Sequence, residues 1–249
     1  MRKYVLPQIV FSFGSDVFAA AASFNTTFYA RSVTPGDHKA ASEKVRVLTP
    51  MNIAILVQDD LVSRVGNELG VTRDFIRALP AGSRVMIGYI TSGTLQVRQP
   101  FTGDLEKASR ALRMPIGSTS ASAYNPYVEV VEALKQFESQ KGPNALLLIS
   151  DGLDISGGFD SSAAGHTIAI DRAIREANRR SVAVYSFYAP SVGLTSRSRL
   201  AASYGQSSLN RLSKETGGEA FFQGNSFVTF DSYFDRLRQS LNEQYGRAS

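Results

Sequence analysis

Four consecutive large apolar residues, Leu146 to Ile149, stop abruptly at Ser150, Asp151 and Gly152. A short apolar run without alternation suits a strand buried on both faces, as in a parallel sheet. Ile53 to Val57 repeats the pattern and ends in Gln58-Asp59-Asp60; Arg84 to Ile90 and Val182 to Phe187 are similar runs. Between them the apolar period lengthens to that of helices. Val65, Leu69, Phe75, Ile76 and Leu79 form one stripe, and Val130, Val131, Leu134 and Phe137 another, preceded by an Asn125 cap and Pro126 at the first helical position. Asp104 caps a helix carrying Leu105, Ala108 and Leu112, and a further helix spans about Thr167 to Arg180. Thr91-Ser92-Gly93 reads as a hairpin turn into an antiparallel edge strand, 94–97, and Pro100 fits an edge because it lacks an N–H. A short helix starting at Ser208, a last strand at Glu219 to Phe222 and a helix capped by Asp231 or Ser232 close the chain. Long polar loops are expected at Pro115 to Tyr124, Asp151 to Gly165 and Pro190 to Gln206.

Strands alternating with helices predict an α/β, doubly wound (Rossmann-like) sheet. It is mostly parallel and six-stranded, with one antiparallel edge strand and helices on both faces. In such sheets ligands gather at the carboxyl ends of the strands. The chemistry is therefore sought around Asp59, Asp60 and Asp151.

The N-terminus reads differently. Met1-Arg2-Lys3 is basic, Tyr4 to Gly14 is mostly apolar, and Val17 to Ala22 ends in small residues. These are the parts of a secretory signal peptide, so 1–22 is assigned as one, 23–46 as an irregular lead-in and 47–246 as the domain. The chain is expected to be exported, to the periplasm, cell envelope or medium. No 18-residue apolar stretch could span a bilayer.

Composition narrows the functions. Cysteine is absent among the 249 residues, which excludes disulfides, thiol catalysis and cysteine-based zinc sites. The formal net charge of +5 is spread along the chain without a basic block, which argues against nucleic-acid binding. Neither histidine, His38 or His166, lies near an obvious nucleophile, and phosphate-loop and nucleophile-elbow motifs are missing. What remains is oxygen chemistry: Asp59 and Asp60 after one strand, Ser118, Thr119, Ser120 and Ser122 before a helix, and Asp151 after the central strand. Three such loops on one rim offer carboxylates and hydroxyls to a hard divalent cation. The same groups also serve as ordinary turn and cap residues.

Taken together, Ile53 to Asp60, Arg84 to Ile90, Leu146 to Gly152 and Glu215-Thr-Gly-Gly-Glu-Ala-Phe-Phe222 resemble a von Willebrand factor type A domain, in particular the exported group from acidobacteria, over about Val47 to Tyr245. The resemblance implies a metal-ion-dependent adhesion site built from Asp-x-Ser-x-Ser after the first strand, a Thr in a second loop and an Asp in a third. Asp151 matches the third part; Ser118, Thr119, Ser120 or Ser122 stands at the second. The first part departs from the motif. Without gaps, Gln58, Asp60 and Val62 occupy its positions; shifted by one residue, Asp59, Leu61 and Ser63 do. The resemblance thus implies a non-enzymatic module that binds a protein partner through the strand-end loops, with Mg²⁺ or another divalent cation held by Asp59, Asp60, Ser118, Thr119, Ser120 and Asp151. Two alternatives stand beside it: an envelope assembly domain that has lost its metal, and a metal-dependent hydrolase, for which Asp154 and Asp160 are the only further carboxylates near Asp151.

Overall fold

The structure is a computed structural model that describes residues 46–138, 140–158, 167–222 and 230–246. The proposed signal peptide, nearly all of the lead-in, His38, Asp160 and His166 lie outside the described residues.

The apolar runs become strands β1 (Asn52–Gln58), β2 (Arg84–Thr91), β4 (Asn144–Ser150) and β5 (Val182–Tyr188), joined by the edge strand β3 (Thr94–Thr102) and a two-residue β6 (Ala220–Phe221). Their order is β3-β2-β1-β4-β5-β6, all parallel except the β2–β3 pair. β1 and β4 are buried at every position, as uninterrupted apolar runs require. β3 is mostly exposed, and its pairing with β2 carries a register shift on the Gln99 side of Val97, next to Pro100.

Side chains alternate between two cores. Ile53, Ile55 and Val57 of β1, with Leu147 and Ile149 of β4, meet α1 (Val65–Arg77), α2 (Leu105–Ala111) and α6 (Phe230–Tyr245). Ala54, Leu56, Leu146 and Leu148 face the opposite way, onto α3 (Pro126–Lys135), α4 (Ile168–Arg179) and α5 (Arg199–Glu215). Two of the caps read from sequence form: Asp104 accepts from Lys107 N at 2.9 Å, and Asn125 accepts from Tyr127 N at 3.1 Å. Asp231 and Ser232, read as a cap, lie instead inside α6, which starts at Phe230. Among the described residues no helix is long and apolar enough to cross a membrane.

One element differs from expectation. The loop read from Pro190 to Gln206 is helical over its second half, because α5 starts at Arg199 and not at Ser208. Ser198 caps it, its side chain accepting from Ala201 N. The first turns bury Ala201, Ala202 and Gly205. A stripe of such small residues shows no large-apolar period in sequence, so the helix becomes visible only at Leu209 and Leu212.

Candidate functional site

Strand order reverses between β1 and β4. A crevice at the carboxyl ends of a doubly wound sheet opens at that switch point, and the residues that follow β1 and β4 sit there. The loop after β1 is sewn to the loop after β5: Val62 N donates to Pro190 O at 3.0 Å, Val192 N to Asp60 O at 2.9 Å, and Leu61 bridges Ser191. Gly117 N donates to Asp59 O at 2.9 Å, which ties in the loop between α2 and α3. Backbone contacts thus hold the polar loops together before any ligand is considered.

Two neighbouring aspartates have opposite roles. Asp59 is fully buried and saturated. Arg113 donates from Nη1 to Oδ1 and from Nη2 to Oδ2, both at 2.6 Å; Thr91 Oγ1 donates to Oδ2 at 2.6 Å and Ile116 N to Oδ1 at 2.9 Å. Burial alone would raise its pKa, but Arg113, Thr91 and the Ile116 amide outweigh that and hold the carboxyl below the usual range. Asp59 does not line the crevice.

Asp60 does. It lines a cavity of about 230 Å³ together with Gln58, Thr119, Ser122 and Asp151. Apolar walls come from Tyr124, Leu153, Ile155 and Leu194. Asp60 Oδ1 accepts Gln58 Nε2 at 2.7 Å. The Ser122 hydroxyl lies near enough to favour the charged form, yet among the described residues no donor reaches Oδ2 with hydrogen-bond geometry. Burial, followed by repulsion from Asp151, pushes the Asp60 carboxyl up to about 6. Asp151 is buried and raised as well, first by burial. Its Oδ1 accepts Leu153 N at 3.1 Å and its Oδ2 accepts Thr195 Oγ1 at 3.0 Å.

Gln58 joins the two strand ends. Its Oε1 accepts the Ser150 hydroxyl at 2.5 Å and Asp151 N at 3.2 Å, while its Nε2 faces Asp60. The gap-free alignment places Gln58 at the first aspartate position of the adhesion motif, where an amide stands in place of a carboxylate. Ser191 and Thr195 were missed altogether; they sit in what read as a featureless loop, and only its pairing with residues 60–62 brings them to Asp151.

The predicted hydroxyls divide. Thr119 lines the cavity. Ser118 and Ser120 do not: they form a 3.0 Å hydrogen bond with each other, in the turn before and within a short 3₁₀ helix, 119–121. Six oxygen ligands are the ordinary demand of Mg²⁺. In this arrangement Asp59 is consumed by Arg113, both oxygens of Asp151 already accept hydrogen bonds, and Gln58 presents an N–H donor to Asp60. Among the described residues no three His, Cys, Asp or Glu side chains form a metal-holding group. As arranged, the donor set does not fit a hard divalent cation.

No family model and no curated protein matches the chain. Solved structures do. BatB from Bacteroides thetaiotaomicron superposes with a TM-score of 0.54 at 15% identity, over 78% of this chain and 98% of its own. An aerotolerance-related membrane protein from Bacteroides fragilis gives 0.53 at 14% identity, over 78% and 99%. The pilus adhesin SpaC from Lactobacillus rhamnosus GG gives 0.51 at 11% identity, over 81% of this chain and 31% of that one. At these identities the likeness is one of fold. With a six-stranded sheet in this order and helices on both faces, the chain has the von Willebrand factor type A fold.

Proposed function

We propose that the protein is an exported, non-enzymatic module that recognises a protein partner through the loops at the carboxyl ends of its strands, and that it does so without a divalent cation. The observation that carries this reading is the cavity at the β1/β4 switch point, a small and partly charged recess, together with the apolar side chains exposed on the same loops. Met114, Ile116, Tyr124 and Leu194 all stand well exposed there. Large apolar side chains held in water on a pre-braced rim are what an interaction surface offers. Among the described residues, the polar groups beside Asp151 are engaged in other ways: Ser150 donates to an amide oxygen, not to a base, and Asp154 accepts from Asn125 and Ser156 instead of joining the cavity. The basic, then apolar, N-terminal sequence supports export, and two matched proteins are described as a membrane protein and a pilus adhesin.

The test is retention of partners from cell-envelope extract on the immobilised protein. Tyr124→Ala and Leu194→Ala alter the rim, while Val97→Ala and Leu48→Ala remove exposed apolar groups elsewhere. The expected outcome is that a saturable partner is lost from the two rim variants only, and that neither EDTA nor added Mg²⁺ changes retention or the unfolding midpoint. Retention lost only in the Val97 or Leu48 variants would favour an assembly role through other surfaces. A midpoint that rises with Mg²⁺ would restore the metal.

A further inference from the structure

The cavity has a definite chemical character. Asp60 and Asp151 are its charged groups; the other lining residues are neutral. Arg113, in the loop after α2, is spent on Asp59. Asp60 is more than nine-tenths buried; among the described residues Gln58 Nε2 is bonded to its Oδ1, and the Ser122 hydroxyl lies close by. Gln58 supplies one N–H to Oδ1 and is held in that orientation from behind by Ser150 and Asp151 N. Negative charge therefore meets the recess with only neutral donors against it among the described residues, Gln58 on Asp60 and Leu153 N with Thr195 on Asp151. The walls above are apolar: Leu153, Ile155, Leu194 and the Tyr124 ring. At about 230 Å³, the recess falls below the roughly 300–1,000 Å³ typical of cofactor and drug-sized pockets. It suits one side chain.

We propose that the cavity takes a single basic side chain of the partner, a lysine, whose ammonium sits between Asp60 and Asp151 while its methylene stem packs on Leu153, Ile155, Leu194 and Tyr124. The inference rests on the interaction-module reading above and names the chemistry of its partner. A lysine matches the site on both counts: a compact cation with three donors and no acceptor, carried on a long apolar stem. An ammonium adds a charged donor to the Asp60 carboxylate while Gln58 keeps Oδ1. An acidic partner side chain is disfavoured here, since the two carboxylates repel it. Electrostatics favours the same outcome, because a charge entering a recess walled by low-dielectric groups is attracted more strongly than on open surface.

The experiment uses the full chain, ¹⁵N-labelled, titrated with the blocked tripeptide acetyl-Gly-Lys-Gly-amide and with its norleucine and glutamate counterparts, the last also with Mg²⁺. The lysine peptide is expected to shift the amides of Asp60, Leu153 and Leu194 saturably, about tenfold more tightly than norleucine, the order of one good charge contact. Asp60→Asn, isosteric and able to keep the Gln58 contact, is expected to remove most of that preference, and Asp151→Asn to weaken it. Equal binding of norleucine, Mg²⁺-dependent binding of the glutamate peptide, or a preference untouched in a folded Asp60→Asn protein overturns the proposal. The two readings fail separately. Rim variants that lose the partner while the lysine peptide causes no shift sink only the lysine assignment. A lysine peptide that binds while rim variants retain every partner makes the recess a small-amine site and sinks the interaction module.

Discussion

Asp59 and Asp60 are adjacent in the chain and opposite in electrostatics. Asp59 is ion-paired, and its pKa lies below the ordinary range. Its contribution to stability is present above the unfolded carboxylate pKa and fades as pH falls through the folded value. Arg113→Met leaves a fully buried carboxylate without its cation, and removes the guanidinium that stacks 4.1 Å above the Tyr89 ring and binds Met114 O. Breaking one side of a buried pair costs several kcal/mol, so a loss of about 3 kcal/mol is expected in urea unfolding at pH 7. A loss near zero would mean that Asp59 finds another donor. Asp60 runs the other way. Its pKa is raised from 3.8 to about 6, so ionising it costs folding free energy at neutral pH. That cost is relieved as pH falls through 6 and is gone by the ordinary carboxylate pKa. Asp60→Asn is therefore expected to be more stable than wild type by about 1–2 kcal/mol at pH 7.5, and equal to it near pH 4, measured by denaturant unfolding at both pH values. A residue that costs stability while facing a recess is placed as binding groups are. A variant less stable at pH 7.5 would show Asp60 to be structural.

At the scale of elements, the site depends on how closely α5 approaches the end of β4. Gly205 lies against the Asp151 backbone so closely that a Cβ there would stand 1.9 Å from Asp151 O. Gly152, at φ +69°, adopts a conformation that other residues rarely take, and its own Cβ would meet Gly205 O at 2.5 Å. Tyr127 OH, buried in α3, donates to Gly152 O at 2.5 Å from the other side. Asp151 is thus held by packing of two helices against one turn, and the contact leaves no slack. Gly205→Ala is expected to push α5 off the turn, lowering stability by about 2–3 kcal/mol and moving the Asp151 and Leu153 amide resonances. Resonances unchanged at an unchanged unfolding midpoint would show that the helix accommodates a methyl, and that the Asp151 geometry does not depend on it. The same small residues hid the start of α5 from sequence reading. Leu209 and Leu212 announce a helix by their size; Ala201, Ala202 and Gly205 bury their face by closeness, which has no hydrophobic signature.

At the scale of the whole molecule, most of the architecture follows from period and punctuation. Unbroken apolar runs gave β1, β2, β4 and β5; Asn125-Pro126 and Asp104 gave two helix starts; the antiparallel β3 followed from a hairpin turn and Pro100. These are local signals, each a consequence of which faces of a segment must leave water. The strand order, and with it the meeting of residues 58–60 with 150–151, is consistent with the doubly wound class that the alternation implies. The location of the candidate site was therefore legible in part: Asp60, Thr119 and Asp151 line one cavity at the carboxyl edge. Its chemistry was less so. Asp59 looks the equal of Asp60 in a string of letters, and Arg113, which separates them, lies 54 positions away from Asp59. Likewise Ser191 and Thr195 become neighbours of Asp151 only through the pairing of two loops that follow different strands.

Sequence alone determined the class of the fold, because burial of apolar periods is a short-range demand that each segment states for itself. It also determined which rim carries the polar groups, because parallel strands all end on one side. Tertiary structure alone decided which carboxylate is neutralised and which is left facing a recess, and that the Gln58 amide joins the two strand ends. Those outcomes turn on distances of a few ångströms between residues remote in the chain, and on how little water remains around them, neither of which a linear pattern encodes.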